Sequence, residues 1–404
     1  MANLSAWINH RLPVKKFYKN HLSEYMVPKN LNFWYLFGVF SLVVLVNQIL
    51  TGIWLSMYYT PTEAHAFSSV EFIMRDVHFG WLIRYLHSTG ASAFFIVVYL
   101  HMYRSIMYGS FKNPRELLWI FGMIIFVFLM IESVSGYALP WGQMSFWAIK
   151  VLISVFSVIP YVGEHVVTWL QGGYNVSGVT LHRFFAFHVT ALPLMVIFLV
   201  FLHIVALHQV GSNNPDGVEI KEHLNDQGQP KDGIAFHPYY TVKDLFGVIV
   251  FLIVFLSVVF FEPTVKGFFL EHANFAAANP QVTPAHIAPP WYLAPFYSML
   301  RAVPNKTGGV ISAALAIALL FVLPWLDKSP VKSIRYKGVY SKIALCALVI
   351  SFCGLGLMGV LALTPVNLII ARVFLVIYFL VFITMPFYTN HESHQTPPQR
   401  LRCK

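Results

Sequence analysis

"RYLHSTGASAFFIVVYLHMYRS", residues 84–105, is an apolar run with two histidines 14 residues apart, His87 and His101. Fourteen residues at 100° each return to within about 40° of the starting direction and rise ~21 Å along a helix, so both rings leave one face at well-separated depths. A second run, "RFFAFHVTALPLMVIFLVFLHIVALH" at 183–208, sets His188 and His203 15 residues apart. Pro193 follows His188 by five and removes a backbone hydrogen bond, so a local kink or bulge is expected to absorb the extra residue.

The surrounding chain tells what medium these histidines sit in. Its 404 residues are 57% hydrophobic and 11% charged, with a mean hydropathy of +0.64, against roughly 25% charge in a soluble domain. Runs long enough to cross about 30 Å of hydrocarbon lie at 31–57, 81–107, 117–137, 184–208, 245–262, 308–326, 343–363 and 366–387. The expected fold is an all-α membrane protein of eight transmembrane helices. Lys and Arg orient it. Eighteen fall in the N-terminal segment, the loops after spans two, four and six, and the tail; the other loops hold Arg75, Lys150, Lys266, Arg301 and Lys306, with Arg183 at the edge of span four. Both termini are therefore expected to be cytoplasmic, and the net charge of +10 reflects topology, read as a solvated basic face, rather than nucleic-acid binding. The first thirty residues are polar and basic without an apolar signal core, so the first span is expected to direct insertion. Cys346 and Cys353 share span seven, Cys403 lies in the tail and no C-x-x-C-H occurs, which argues against disulfides, thiolate metal sites and covalent haem.

Spans two and four run in the same direction, so His87 is level with His188 near the outer face and His101 with His203 near the inner one. An ionisable group inside a membrane is a functional hypothesis by default. A single such histidine reads equally as a cross-helix hydrogen bond, but four at matched depths suit the axial ligation of two haems inside a helix bundle. Gly38 and Gly52 in span one, and Gly122 and Gly136 in span three, are each 14 apart and fall at the same two levels. Glycine clears room for a flat macrocycle, although small residues also serve ordinary membrane packing. Arg84, Arg104 and Arg183 lie within about a turn of a histidine, where a guanidinium can hold a propionate or snorkel to headgroups.

At this point the chain resembles the cytochrome b family of quinol:cytochrome c oxidoreductases. The resemblance rests on "GYALPWGQMSFW" (136–147), "IPYVG" (159–163), "GSNNPDG" (211–217), "FHPYYTVKDLFG" (236–247), "PPWY" (289–292) and "LRAVPNKTGGV" (300–310), in that order. It implies a cytoplasmic-side amphipathic segment (1–30), a di-haem four-helix bundle (31–210), a cytoplasmic loop (211–241), a C-terminal four-helix region (242–390) and a tail (391–404). It also implies two non-covalent b haems, a low-potential outer one on His87 and His188 and a high-potential inner one on His101 and His203. Ubiquinone or menaquinone is the implied substrate. The implied partners are a Rieske-type iron-sulfur protein, a membrane-anchored c-type cytochrome, lipid and a second copy of the complex, in a bacterial cytoplasmic membrane. The quinol pocket is expected between a surface helix ending at Pro160 and another over Trp291–Arg301, walled by Tyr137, Trp141, Trp291, Tyr292 and Tyr297. His208, Lys243 and Asp244 are expected at an inner quinone-reduction site, as carriers of protons.

One position departs from the family. The usual glutamate of "P-x-W-Y" is Pro290 here, which binds no proton. Glu132, in span three and five residues before Tyr137, is the expected substitute, with Glu262 as its rival. A di-haem anchor subunit of a dehydrogenase or hydrogenase explains the histidines but not "PWGQMSFW" or "PPWY". A transporter would use the buried histidines and Glu132 to carry protons without a cofactor, and a reduced-minus-oxidised spectrum without b-type bands would select it.

Overall fold

Long apolar stretches with few interruptions fold as helices because no other single segment satisfies its own backbone in lipid. A computed structural model describes residues 4–19 and 23–401, so Cys403 lies outside the described residues. Among the described residues, seven helices are long and apolar enough to cross a membrane: Phe33–Ser56, Gly80–Tyr108, Glu116–Ala138, Gly178–Val210, Phe236–Phe261, Val339–Val360 and Pro365–His391. The run expected as span six forms a shorter helix, Lys306–Phe321, of 16 residues, roughly 24 Å at 1.5 Å per residue. It breaks at Val322 and resumes over Leu323–Leu326. The Trp119 indole donates to its Leu320 carbonyl (2.7 Å) and the Tyr378 hydroxyl to Ala316 (3.0 Å), which ties this helix to both halves of the chain.

The irregularity expected near Pro193 is present. Phe187–Ala191 forms a π-helical turn inside the fourth span, and such a turn holds one residue more than an α-turn. It takes up the 15-residue spacing and lets His203 share a face with His188.

One end of the molecule, called here the PPWY face, carries the shorter helices. Gln143–Ser154 and Gly163–Gln171 follow span three, and Trp291–Leu293 with Ala294–Ala302 precede the 306–321 helix. Gln143–Ser154 and the pair over 291–302 match the surface helices expected from the sequence; Gly163–Gln171, and Ala66–Arg75 between spans one and two, were not anticipated.

The opposite, basic face is more than a solvated surface. Arg115, with a side chain 3% exposed, grips Glu219 through both guanidinium nitrogens at 2.5 and 2.8 Å, and Lys332 joins them. Burial pushes Glu219 up, but the Arg115 and Lys332 contacts outweigh it and hold the carboxyl below its ordinary range. Asp232 takes Lys29 at 2.9 Å and Arg400 at 2.6 Å, and Asp327 takes Lys112 at 3.1 Å and also Lys337. A two-stranded antiparallel sheet, Met26–Pro28 against Gly233–Ala235, fastens the N-terminal segment to the loop after span four.

Candidate functional site

The upper histidine pair is built by spans one to four. His87 and His188 face each other with ring centroids 6.1 Å apart and planes at 89°. Thr51 Oγ1 donates to the Asn47 carbonyl (2.6 Å), so it is free to accept from His87 Nδ1 at 2.9 Å. His188 Nδ1 meets two acceptors, the Glu132 carbonyl at 3.1 Å and the Glu132 carboxylate at 3.0 Å. In both rings the proton belongs on Nδ1, which leaves the Nε2 lone pair for a ligand. The lower pair, His101 and His203, has centroids 6.5 Å apart.

Two imidazoles bound to one metal at about 2.0–2.1 Å place their ring centres roughly 6 Å apart, and both pairs have that separation. No group of three or more His, Cys, Asp or Glu is disposed to hold a metal among the described residues. Two axial donors fit an iron whose other four positions a macrocycle supplies. The four glycines line up as expected. A Cβ on Gly38 would lie 3.3 Å from His101, on Gly122 3.3 Å from His203, on Gly52 3.2 Å from His87, and on Gly136 2.4 Å from His188. The residues present therefore fit two bis-histidine haems.

The arginines differ among themselves. Arg104 lies over the Tyr35 ring (4.4 Å) and donates to Ser110, while its buried Nε has no hydrogen-bond partner among the described residues. Arg84 is one turn before His87 in the second span. Arg183 turns to the surface, donating to the Trp169 carbonyl and lying over its ring at 5.8 Å.

On the PPWY face backbone pairing joins two distant segments. Trp141 adopts φ 51°, a left-handed conformation that costs a bulky residue on the order of 1–3 kcal/mol. The turn is held by pairing with the loop after span five: Ala278 N–H donates to the Trp141 carbonyl (3.1 Å) and Gln143 N–H to Ala276 (2.8 Å). Asn274 accepts from the backbone and the hydroxyl of Ser145 at 2.9 and 3.0 Å. Pro290 is buried and extended (φ −49°, ψ 144°), and its carbonyl accepts from Leu293 N–H at 2.9 Å. Trp291 stacks on Phe268 (5.4 Å) and donates to Ser92 (3.1 Å). Tyr292 stacks on Phe95 at 4.1 Å, and its carbonyl accepts from Tyr99. Tyr297 donates to Ile287 (3.0 Å), with Arg301 over its ring.

Sequence reasoning missed the carboxylate that meets these aromatics. The Tyr137 hydroxyl donates to Glu271 Oε2 at 2.8 Å. Burial, followed by the negative charge of Glu271, pushes the Tyr292 phenol up. The expected candidates lie elsewhere. Glu132 is committed to His188, and Glu262 is exposed, accepting from Thr264 (3.0 Å) and Lys266 N–H (3.1 Å) of its own turn. The available signal was that Glu271 is the one carboxylate between Glu262 and "PPWY", in the same aromatic loop.

At the basic face His208 stacks on Tyr25 at 4.4 Å, a residue the sequence did not single out. Lys243 donates to the Tyr239 hydroxyl (2.8 Å), and Asp244 follows it in the first turn of the fifth span.

Comparison with known proteins places this geometry. Residues 22–211 match the family model described as cytochrome b/b6/petB, and residues 277–379 match the cytochrome b C-terminal/b6/petD model. The chain is similar to the cytochrome b of Allochromatium vinosum, 53% identical with 99% of this chain and 98% of that protein covered. It is 47% identical to that of Rickettsia conorii, covering 98% and 96%. A solved structure described as a hyperthermophilic respiratory Complex III matches with a TM-score of 0.89 at 38% identity, over 96% of this chain and 99% of that one.

Proposed function

The chain belongs to the cytochrome b family of bc-type respiratory complexes, an integral membrane electron-transport subunit, and from that premise we propose how its residues divide the work. Quinol is oxidised at the PPWY face and quinone is reduced at the basic face, with one electron per quinol crossing between them. The other electron passes to a Rieske-type iron-sulfur partner and on to a membrane-anchored c-type cytochrome. When bound, two b haems supply one-electron carriers at the two levels.

His87 and His188 hold the upper haem and His101 and His203 the lower, and Thr51 and Glu132 keep the outer imidazoles in the binding tautomer. Arg84 and Arg104 would hold the propionates; the contacts of Arg183 with Trp169 make it the weaker of the three. Tyr137, Trp141, Pro290, Trp291, Tyr292 and Tyr297 shape the quinol pocket and exclude water. His208, Lys243 and Asp244 carry protons to quinone, with Tyr25 against His208. The helix at 306–321 with 323–326 serves as span six and completes the eight. The chain divides into the bundle at 31–210, the loop at 211–241 and the region at 242–390. The basic face is cytoplasmic, in a bacterial inner membrane, and the complex is a dimer using ubiquinone or menaquinone.

The observation that carries this reading is the pair of histidine couples at 6.1 and 6.5 Å, one above the other on the same two spans. A di-haem anchor subunit leaves the pocket around "PPWY" without a use. The test is rapid mixing of the oxidised complex with quinol while following the b-type absorbance. A stigmatellin-type inhibitor alone or an antimycin-type inhibitor alone leaves one route of reduction, and the two together stop it. Complete loss with either one alone contradicts two sites.

A further inference from the structure

Oxidation of a quinol to a quinone releases two protons and two electrons, and the buried pocket wall at Pro290 offers no base. Most carboxylates of the PPWY face are engaged away from that wall. Glu63 accepts from the Gly178 backbone, Glu71 pairs with Arg75, Glu262 serves its own turn and Glu132 holds His188. Glu271 alone among these meets a pocket aromatic, through Tyr137 at 2.8 Å. Its loop is pinned three residues on by Asn274, which accepts from Ser145, and further by Ala276 and Ala278.

We infer that Glu271 is the acceptor of one quinol proton at the PPWY-face pocket, taking the role that Pro290 cannot fill. The inference rests on the proposed quinol-oxidising function. A carboxylate accepts at about four lone-pair sites, and the Tyr137 hydroxyl with Glu271's own backbone N–H engages only part of that capacity. In the step, the quinol O–H bond breaks and its proton forms a new O–H bond on the Glu271 carboxylate. The second proton leaves toward a base of the iron-sulfur partner. The two electrons would leave one to that partner's cluster and one to the one-electron carrier that His87 and His188 would hold, so the quinone product balances. Glu271 is half-buried and the next two residues, His272 and Ala273, are exposed, which gives the proton a short path to water.

Burial first, opposed by the backbone N–H and the Tyr137 hydroxyl, pushes the Glu271 carboxyl above its usual value. The titratable groups that bear on it are the phenols of Tyr137 and Tyr292 from the two walls, and no ion pair to a Lys, Arg or His is found for it among the described residues. An acceptor works only when deprotonated, so quinol oxidation should rise with pH through the Glu271 pKa and level off above it.

The experiment uses the whole complex with Glu271→Gln, which keeps shape and the hydrogen bond from Tyr137. Quinol:cytochrome c turnover should fall on the order of 10²-fold, the usual contribution of a general base. The pH-dependent limb should vanish, while b-type absorbance and quinone-side reduction stay as in the parent. Adding Pro290→Glu to that variant should restore part of the rate. Turnover within about twofold of the parent with the pH limb intact would overturn the assignment. So would equal losses at both faces, or slowed turnover that Pro290→Glu leaves without rescue. A parent complex that shows b-type bands but no quinol oxidation at this face would overturn the proposed function itself, and is read before any variant.

Discussion

Replacing His188 with leucine should halve the b-type absorbance and reduce quinol:cytochrome c turnover to background. Leucine offers no lone pair, so the upper site keeps one axial donor while the lower pair, on the same two helices, is untouched. A second cost follows from Glu132. Its carboxylate lies 3.0 Å from His188 Nδ1 with a side chain 20% exposed, and its other oxygen already lacks a partner. Without the imidazole the carboxylate loses its hydrogen-bond donor, and leaving such a part-buried acceptor unsatisfied costs about 1–3 kcal/mol. The double variant His188→Leu, Glu132→Gln should therefore assemble better than His188→Leu while remaining equally inactive. Difference spectra and complex yield measure the two effects separately. Retention of both b-type components by His188→Leu would contradict the ligand assignment.

Gly136→Ala should also empty the upper site, whereas Gly122→Ala should leave the lower one filled. A Cβ at residue 136 lies 2.4 Å from His188 Cε1 and 2.9 Å from both ring nitrogens, so the ring has to move. The ring is held by Glu132 and by the π-turn that carries it, so movement sacrifices ligand geometry. A Cβ at residue 122 lies 3.3 Å from His203 Cε1, and a shift of a few tenths of an ångström relieves it. Overpacking of this kind costs about 1–3 kcal/mol, which predicts haem retention weaker by roughly ten- to a hundredfold at the upper site. Haem content after mild detergent washing checks the contrast. Equal retention in the two variants would show that the glycines serve helix packing alone.

The site was legible in sequence where helix geometry alone relates residues. Fourteen-residue spacings of histidines and glycines translate directly into depth and face, and Pro193 marks the π-turn that corrects the 15-residue spacing. Glu271 was not legible, because the loop after span five has no periodicity. Its placement depends on pairing with Trp141, Gln143 and Ser145, more than a hundred residues away. The same holds for Tyr25, carried to His208 by a strand pair, and for the ion pairs of the basic face, where Asp232 meets Arg400. Glu132 was found for its burial, but burial does not tell which neighbour a side chain faces, and that neighbour is a histidine below the pocket. The span count rested on run length, and 306–326 divides at Val322, next to Pro324.

The central claim is that two histidine couples, one above the other, each hold a b haem. A redox titration of the b-type spectrum of the intact complex tests it most directly. The account predicts two one-electron components of equal amplitude with separate midpoints, one of which disappears in His188→Leu. A single component, or one haem per chain, would contradict it.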